Sequence, residues 1–473
     1  MPERILIDPV TRVEGHAKIS IYVDDTGQVN SAQFHVTEFR GFEKLCEGRP
    51  FHEMPGLMSR ICGICPVSHV LASSKAGDML LGVEIPRAAV KQRRLVNYAQ
   101  ILQSHALSFF HLSSPDIFLG MDTAPQQRNL FGLLETDADL ARRGIRLRQF
   151  GQRIIELVGG KRIHPAWGAP GGVLRALGTA ERDEIRGWIP EAFQSIDLVI
   201  ARLKYVIDSL ALEIEHMGNF PTFFLGTVTP EGDLEYYDGQ IRIIDAEGNI
   251  VADGLDPLRY ASYLGEASEE WSFMKFAYYK PLGYPGGAYR VGPLARLNVA
   301  KSAGTPRADR ELTEFKQRGK GAVCESFHYH LARLIEMLHA VERIDELTDD
   351  PDLLREHVRA KAGQNRNQGV GSCEAPRGTL FHDYQVDDDG RIQKVNLLIA
   401  TGQNNLAMNR AVEQAARQFI SARSIQEGML NRVEAAIRCF DPCLSCSTHA
   451  MGAMPLVVEL RNVSGELLDR VAR

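Results

Sequence analysis

No apolar run in this chain approaches the ~20 residues that a membrane-spanning helix requires, so no transmembrane segment is expected. Basic blocks are missing as well. Lys and Arg number 54 against 60 Asp and Glu, a formal net charge of −6, which argues against nucleic acid as a partner. There is no G-x-x-x-x-G-K-S/T loop, and no G-x-G-x-x-G behind a strand, since Gly369-x-Gly371 stops short. A nucleotide is therefore not expected on this chain through a recognisable phosphate-binding motif. The G-x-S-x-G elbow of a serine hydrolase is absent too, and so are internal repeats and low-complexity stretches. The first residues, Met1-Pro2-Glu3-Arg4, run straight into a strand-like segment without a signal-peptide pattern. Cysteine is sparse, 8 in 473 residues, too few for a disulfide framework.

What is present is an ordinary globular composition, 44% hydrophobic and 24% charged, on a chain long enough for one large or two fused domains. Four of the cysteines form two C-x-x-C pairs. One is Cys62 and Cys65, in Arg60-Ile61-Cys62-Gly63-Ile64-Cys65. The other is Cys443 and Cys446, in Asp441-Pro442-Cys443-Leu444-Ser445-Cys446-Ser447-Thr448-His449. Paired thiols in a sparse background point to metal or redox use in a reducing compartment. Cysteines three apart on a helix or turn point the same way, so both sulfurs can reach one ion. Asp441 is expected as an N-cap with Pro442 in the first helical position, placing Cys443 and Cys446 in a first turn where the helix dipole favours thiolate. Four thiolates suit zinc, iron–sulfur, nickel or copper(I) rather than magnesium or calcium. A closed four-cysteine zinc site is the plain alternative, but zinc ribbons usually keep their pairs roughly 15–20 residues apart. Here nearly the whole chain lies between them, so the site is expected near the centre of the fold, and catalytic rather than structural. Cys46, Cys324, Cys373 and Cys439 read as small buried hydrophobes.

Periodicity predicts an α+β fold, predominantly α: a long-helix bundle core carrying small antiparallel sheets and hairpins. Strands are expected within 5–36, with a hairpin turn at Gly27. Residues 8–16 read as a solvated strand edge, with Gly15 available for a tight backbone approach. Helices are expected over 66–81, 87–111, 122–159, 181–217, 308–347, 405–423 and 427–439. Residues 220–305, rich in Gly, Pro and Tyr, read as an insertion or flap with a hairpin at 240–252. Residues 369–378 read as a turn-rich loop before strands at 379–385 and 392–400. His328, His330 and His339 are assigned no role.

These residues resemble the large, catalytic subunit of nickel–iron hydrogenases over essentially the full length. Arg60-x-Cys62-Gly63-x-Cys65 and Asp441-Pro442-Cys443-x-x-Cys446-x-x-His449 look like its two signature motifs. Asp8-Pro9-Val10-Thr11-Arg12-Val13-Glu14-Gly15-His16, Arg40-Gly41-Phe42-Glu43 and Glu374-Ala375-Pro376-Arg377-Gly378 look like further family blocks in the same order. Residues 59–69, 269–276 and 400–410 are most similar to the HoxH type of soluble, NAD-linked bidirectional hydrogenases.

The resemblance implies the reaction H2 ⇌ 2 H⁺ + 2 e⁻ at a Ni–Fe centre with CO and cyanide on the iron. It implies Cys62 and Cys443 as terminal nickel ligands, and Cys65 and Cys446 as ligands shared by nickel and iron. Glu14 matches a proton-relay glutamate, Glu43 and His449 match magnesium ligands, and Arg377 matches an arginine over the open side of the metals. Asp441 matches an aspartate that supports it. Many respiratory members read His-Asp-His where this chain has Gln103-Ser104-His105, and Ser104 cannot supply that carboxylate's charge.

Implied partners are a small iron–sulfur subunit, diaphorase subunits carrying iron–sulfur clusters, flavin and NAD, a maturation endopeptidase and nickel chaperones. A cytoplasmic location follows from the same similarity. Residues 1–449 would form one catalytic domain, and 450–473 a C-terminal extension removed directly after His449. Two alternatives stand beside this reading. One is a deazaflavin-linked or ferredoxin/heterodisulfide-linked hydrogenase large subunit. The other is a non-catalytic four-cysteine zinc protein.

Overall fold

Four long helices close into a ring. They are α2 (Arg87–Ala106), α3 (Ala138–Gly159), α4 (Thr179–Ile207) and α5 (Tyr329–Asp349); α1 (Pro66–Leu81) precedes them. Helix α2 packs on α3 and α5, and α4 packs on the same two. This computed structural model describes residues 3–421, 425–450, 457–461 and 467–472. Helix α5 is buried along most of its length, its Arg333, Glu336 and His339 included. Two further helices, α6 (Asn405–Phe419) and α7 (Glu427–Phe440), pack on each other beside this ring and deliver the chain to the second cysteine pair.

At the N-terminus, β1 (Glu3–Ile7), β2 (Ala17–Val23) and β3 (Val29–Val36) form an antiparallel sheet, turning at Gly27 as its positive φ of 82° allows. The middle of the chain builds β4 (Phe223–Val228), β5 (Gln240–Ile244), β6 (Ile250–Leu255) and the short β7 (Tyr289–Arg290), in the order β7-β4-β5-β6. A third antiparallel sheet contains β8 (Gln368–Ala375), β9 (Gly378–Val386) and β10 (Ile392–Leu398) in sequential order. Leu225 and Ile241 of the middle sheet share an apolar cluster with Phe381 and Leu398 of the third.

Four expectations are corrected. Residues 368–375 are a strand, not a turn-rich loop. Their glycines serve contact rather than turning: a Cβ on Gly369 would lie 2.2 Å from the Ala76 carbonyl oxygen, and one on Gly371 2.0 Å from that of Ala72. Only positions without a side chain can press this closely onto α1. Residues 122–159 are not one helix. Asp137 breaks it, its carboxylate accepting the Leu140 N–H at 3.1 Å and capping α3 afresh. The stretch 308–347 is likewise interrupted, between a helix over Pro306–Lys316 and α5, where the Ala322 N–H donates to the Ala246 carbonyl at 3.0 Å and docks the connection on the β5–β6 hairpin. The helix expected over 87–111 runs on, because α2 passes into a π-helical turn, Leu107–Ser113, and then a helix over Ser114–Leu119.

Among the described residues no helix is long and apolar enough to cross a membrane. Near the C-terminus, Val457–Arg461 pairs antiparallel with Leu467–Ala472. Residues 462–466, between these two strands, lie outside the described residues.

Candidate metal centre

The first cysteine pair is shaped by its own backbone. A 3-10 turn, Ser59–Ile61, ends at Cys62 in extended conformation, and Cys65 then caps α1. The chain folds back so that the N–H groups of Ile64 and Cys65 both donate to Cys62 Sγ, at 3.2 and 3.3 Å. Helix α2 grips this bend from outside: Gln100 and Gln103 both donate to the Ile64 carbonyl, at 2.8 and 2.7 Å.

The second pair departs from expectation. Asp441 does not open a helix; it closes α7 in the left-handed conformation, φ 52°. The helix that follows, Leu444–Ser447, is four residues long and starts after Cys443. A helix dipole therefore does not explain thiolate formation here. Burial instead pushes the thiols of Cys443 and Cys446 up, whereas hydrogen bonds from Cys443, Cys446 and Cys65 bring Cys62 well below the ordinary thiol range.

The two halves meet. Cys62 and Cys443 place their sulfurs 3.3 Å apart, Cys65 and Cys446 3.4 Å, and Cys443 and Cys446 3.0 Å. All four sulfurs lie within 4.8 Å of one another, and none of these four cysteines is more than 5% exposed. The separations exceed a disulfide bond, ~2.05 Å. A dry quartet of thiols with no carboxylate or imidazole among its members fits a soft or borderline transition metal, which would displace the remaining thiol protons. Beside it lies a small cavity of about 20 Å³, lined by Cys65, Cys446, Ser68, Arg377, Leu380 and Thr401 among others. The Ser68 hydroxyl is buried there without a hydrogen-bond partner.

Arg377 is held by Asp441. Its Nε donates to the Asp441 carbonyl at 2.6 Å and its Nη2 pairs with the carboxylate at 3.0 Å. Burial disfavours both charges, but the Asp441 carboxylate and neighbouring thiolates keep Arg377 firmly protonated. Burial pushes the Asp441 carboxyl up against the pull of Arg377 and Arg333. Ser104 lies 3.4 Å from Arg377 Nη1, so the serine contacts the guanidinium without supplying charge.

Glu14 overturns the solvated-edge reading of residues 8–16. Its carbonyl accepts the Leu444 N–H at 3.1 Å, and its carboxylate accepts the Ser445 N–H at 3.0 Å as well as the Ser445 hydroxyl. A Cβ on Gly15 would lie 2.7 Å from Leu444 Cβ, so the glycine makes this approach possible. Arg12 anchors the same loop, donating to Asp116 at 2.6 Å and to the Leu112 carbonyl at 2.7 Å.

Glu43 and His449 face each other, with His449 Nδ1 2.8 Å from Glu43 Oε1. The Leu397 N–H donates to the same oxygen at 2.8 Å. Burial pushes the Glu43 carboxyl up, but the hydrogen bond and charge of His449 outweigh it and leave the group below its usual range. Backbone contacts fix the partners, since the Glu43 N–H donates to the His449 carbonyl at 3.2 Å.

Sequence reasoning missed two features. His69 Nε2 lies 3.4 Å from Cys446 Sγ, and burial pushes its imidazole down to about 4. Its position four residues after Cys65, on the same face of α1, was the available signal. Behind Arg377, the buried Arg296 donates to the Ala375 and Pro376 carbonyls at 2.8 and 3.1 Å and pairs with Glu336 at 2.6 Å. No local pattern marks that contact. Cys46, Cys373 and Cys439 are buried, their thiols pushed up to about 12, and stand outside the quartet. Cys324 is only half-buried, unlike the expectation for it.

Comparison with known proteins adds independent findings. A family model described as nickel-dependent hydrogenase matches residues 40–125 and 233–449, and one described as HoxL-like matches residues 4–39. The chain is 43% identical to the NAD-reducing hydrogenase HoxS subunit beta of Cupriavidus necator, with 100% of both chains covered. It is 40% identical to a chain of the vhu F420-non-reducing hydrogenase of Methanococcus voltae, over 87% of this chain and 98% of that one. A crystal structure of an NAD+-reducing NiFe-hydrogenase in the H2-reduced state superposes with a TM-score of 0.92 at 46% identity, covering 94% of this chain and 99% of the other.

Proposed function

Because this chain belongs to the nickel-dependent hydrogenase family, we propose that its quartet of thiols is the place where H2 is interconverted with protons and electrons, and that those electrons are exchanged with NAD(H). The chain is an oxidoreductase, the catalytic subunit of a hydrogenase. The observation that carries the site is the convergence of Cys62, Cys65, Cys443 and Cys446 into one buried cluster. When bound there, a Ni–Fe centre supplies the reversible activation of H2.

Each residue then has a task. Cys62 and Cys443 would hold nickel alone, and Cys65 and Cys446 would be shared with iron. The unpartnered Ser68 hydroxyl and the Arg377 guanidinium, on the wall of the adjoining cavity, would supply hydrogen bonds to CO and cyanide carried by that iron. Arg377 would stabilise negative charge there, and Asp441 would hold the guanidinium in place. Glu14, bridged to Cys443 through the backbone, would receive and pass on the proton released at that sulfur. Glu43 and His449, with oxygen and nitrogen donors, would bind Mg²⁺. Excluding water from the quartet strengthens each of these electrostatic contacts.

The NAD linkage is supported by the relative and the solved structure whose names carry it, at 43% and 46% identity. Iron–sulfur clusters, flavin and NAD would reside on partners in the cytoplasm, namely diaphorase subunits with a small iron–sulfur subunit. The archaeal relatives, at 40% identity or less, keep a second reading alive, a hydrogenase of this family with a different electron partner. Residues 450–473 would be removed after His449 by a maturation endopeptidase, once nickel chaperones have loaded the site. In support, the match to the nickel-dependent hydrogenase family model ends at residue 449.

The test is metal analysis and infrared spectroscopy of the purified complex, with H2-dependent NAD+ reduction assayed beside them. One nickel per complex is expected, with iron in excess of nickel because the partners carry iron–sulfur clusters, together with CO and cyanide bands. Zinc alone would overturn the site, and H2 uptake with artificial acceptors but never with NAD+ would overturn the linkage.

A further inference from the structure

A line of hydrogen bonds leads away from Cys446. Its sulfur is 3.4 Å from His69 Nε2, and His69 Nδ1 is 3.1 Å from His382 Nε2. His382 Nδ1 is 2.7 Å from the Tyr384 hydroxyl, which is 2.8 Å from Ser73 Oγ. None of these four side chains is more than 1% exposed. One helix and one strand build the line. His69 and Ser73 are four apart on α1, and His382 and Tyr384 are two apart on β9, so each pair shares a face. Among the described residues, His69 supplies the one side-chain nitrogen within hydrogen-bonding distance of any of the four sulfurs.

Neither imidazole has a carboxylate partner, and burial pushes the His382 ring well below the usual imidazole range. In a line of neutral groups, each contact needs one proton and one lone pair. The line therefore has two polarities. In one, Tyr384 donates to His382 Nδ1, His382 Nε2–H donates to His69 Nδ1, and His69 Nε2–H donates to sulfur. In the other, the Cys446 S–H donates to His69, and every later proton points away, ending with Tyr384 donating to Ser73. A thiolate without a proton selects the first, and a free thiol the second.

We propose that His382 and Tyr384 are positioning residues that stabilise His69 in the tautomer its sulfur partner selects, so that its Nε2–H donates to the Cys446 sulfur once that cysteine holds metal. Hydrogen bonds to ligating sulfur reduce the charge the sulfur gives its metal and so tune the centre. The inference rests on the Ni–Fe reading for what occupies Cys446, but the tautomer itself belongs to this chain.

Two measurements test it. Infrared spectra of the holoenzyme are compared for wild type, His69→Gln and Tyr384→Phe. Both variants are expected to move the carbonyl band to lower wavenumber, the second by less, with nickel and iron content retained in Tyr384→Phe. A displaced band in His69→Gln beside an unmoved band in Tyr384→Phe overturns the proposal, as does a band that moves in neither. The metal-free protein, labelled with ¹⁵N at histidine, gives the second readout, with the His69 signals identified by their loss in His69→Gln. Wild type is expected to carry the proton on Nδ1 of His69, and Tyr384→Phe to redistribute it; an identical tautomer in both rejects the assignment. If wild-type holoenzyme shows no carbonyl band, the Ni–Fe reading falls and the ¹⁵N comparison alone decides. Should Tyr384→Phe fold poorly, His382→Leu takes its place with the same expected outcomes.

Discussion

Cys62 and Cys443 stand 381 positions apart in sequence and 3.3 Å apart at their sulfurs. Everything between them has to fold before the site exists, so metal binding and folding of the core are coupled. Removing one sulfur tests the assignment of the site. Cys443→Ser is expected to abolish nickel retention and H2 oxidation while leaving the helical circular dichroism signal intact. Nickel retained at wild-type stoichiometry would contradict the assignment.

Arg377 presents its guanidinium to both the carbonyl and the carboxylate of Asp441. Arg377→Lys keeps the charge but loses the fork. Activity is expected to fall by roughly 10- to 100-fold with metal content near wild type, as for other contacts that orient ligands. Arg377→Met leaves a buried carboxylate without this partner, and breaking a buried pair costs about 3–5 kcal/mol. Its thermal midpoint should therefore drop well below that of Arg377→Lys in the same scan.

Glu14→Gln preserves size and an acceptor for the Ser445 N–H, which Glu14 accepts at 3.0 Å. It removes the ability to take up a proton. Loss of a positioned acid–base group slows turnover by roughly 10²–10⁴-fold. H2 oxidation is expected to fall within that range while nickel content and melting temperature hold. A variant with near-normal turnover would remove Glu14 from the proton path.

The Glu43 carboxyl is held below its usual range by His449. A group whose folded pKa is depressed contributes stability that is fully present above its unfolded value, ~4.3. That contribution is lost as pH falls from there through the folded value. Wild type should lose stability faster than Glu43→Gln over that acid window, and the two should differ by a constant amount at neutral pH. Parallel acid-denaturation curves would show that the pair contributes nothing.

Gly371 presses β8 against α1, and a Cβ there would sit 2.0 Å from the Ala72 carbonyl oxygen. Overpacking of this kind costs about 1–3 kcal/mol. Gly371→Ala is expected to destabilise the chain by that order and to lower activity as well, because β8 leads directly into Arg377. Denaturant titration and H2 oxidation should fall together; a stable, fully active variant would show that the strand has room to shift.

Much of the architecture was legible locally. The hairpin at Gly27, α1 after Pro66, and α6 and α7 follow from patterns with a reach of two to four residues. The failures share one cause. Gly369 and Gly371 look like turn formers until α1 is seen to lie against them. Asp441 looks like an N-cap until the chain is seen to reverse there and give its carboxylate to Arg377. Residues 8–16 look solvated until Leu444 closes over Gly15.

By itself, the sequence determined the chemistry on offer: four paired thiols, a histidine after the second pair, and helical periodicity sufficient to bury them. Those properties are written in side-chain identity and short spacing, and no packing is needed to read them. Tertiary structure alone decided which groups meet: Cys62 with Cys443, Glu14 with Ser445, His69 with His382. Such contacts join positions whose separation carries no periodic signal. They are selected by how helices and sheets fill space together, and that selection becomes visible only in the packed chain.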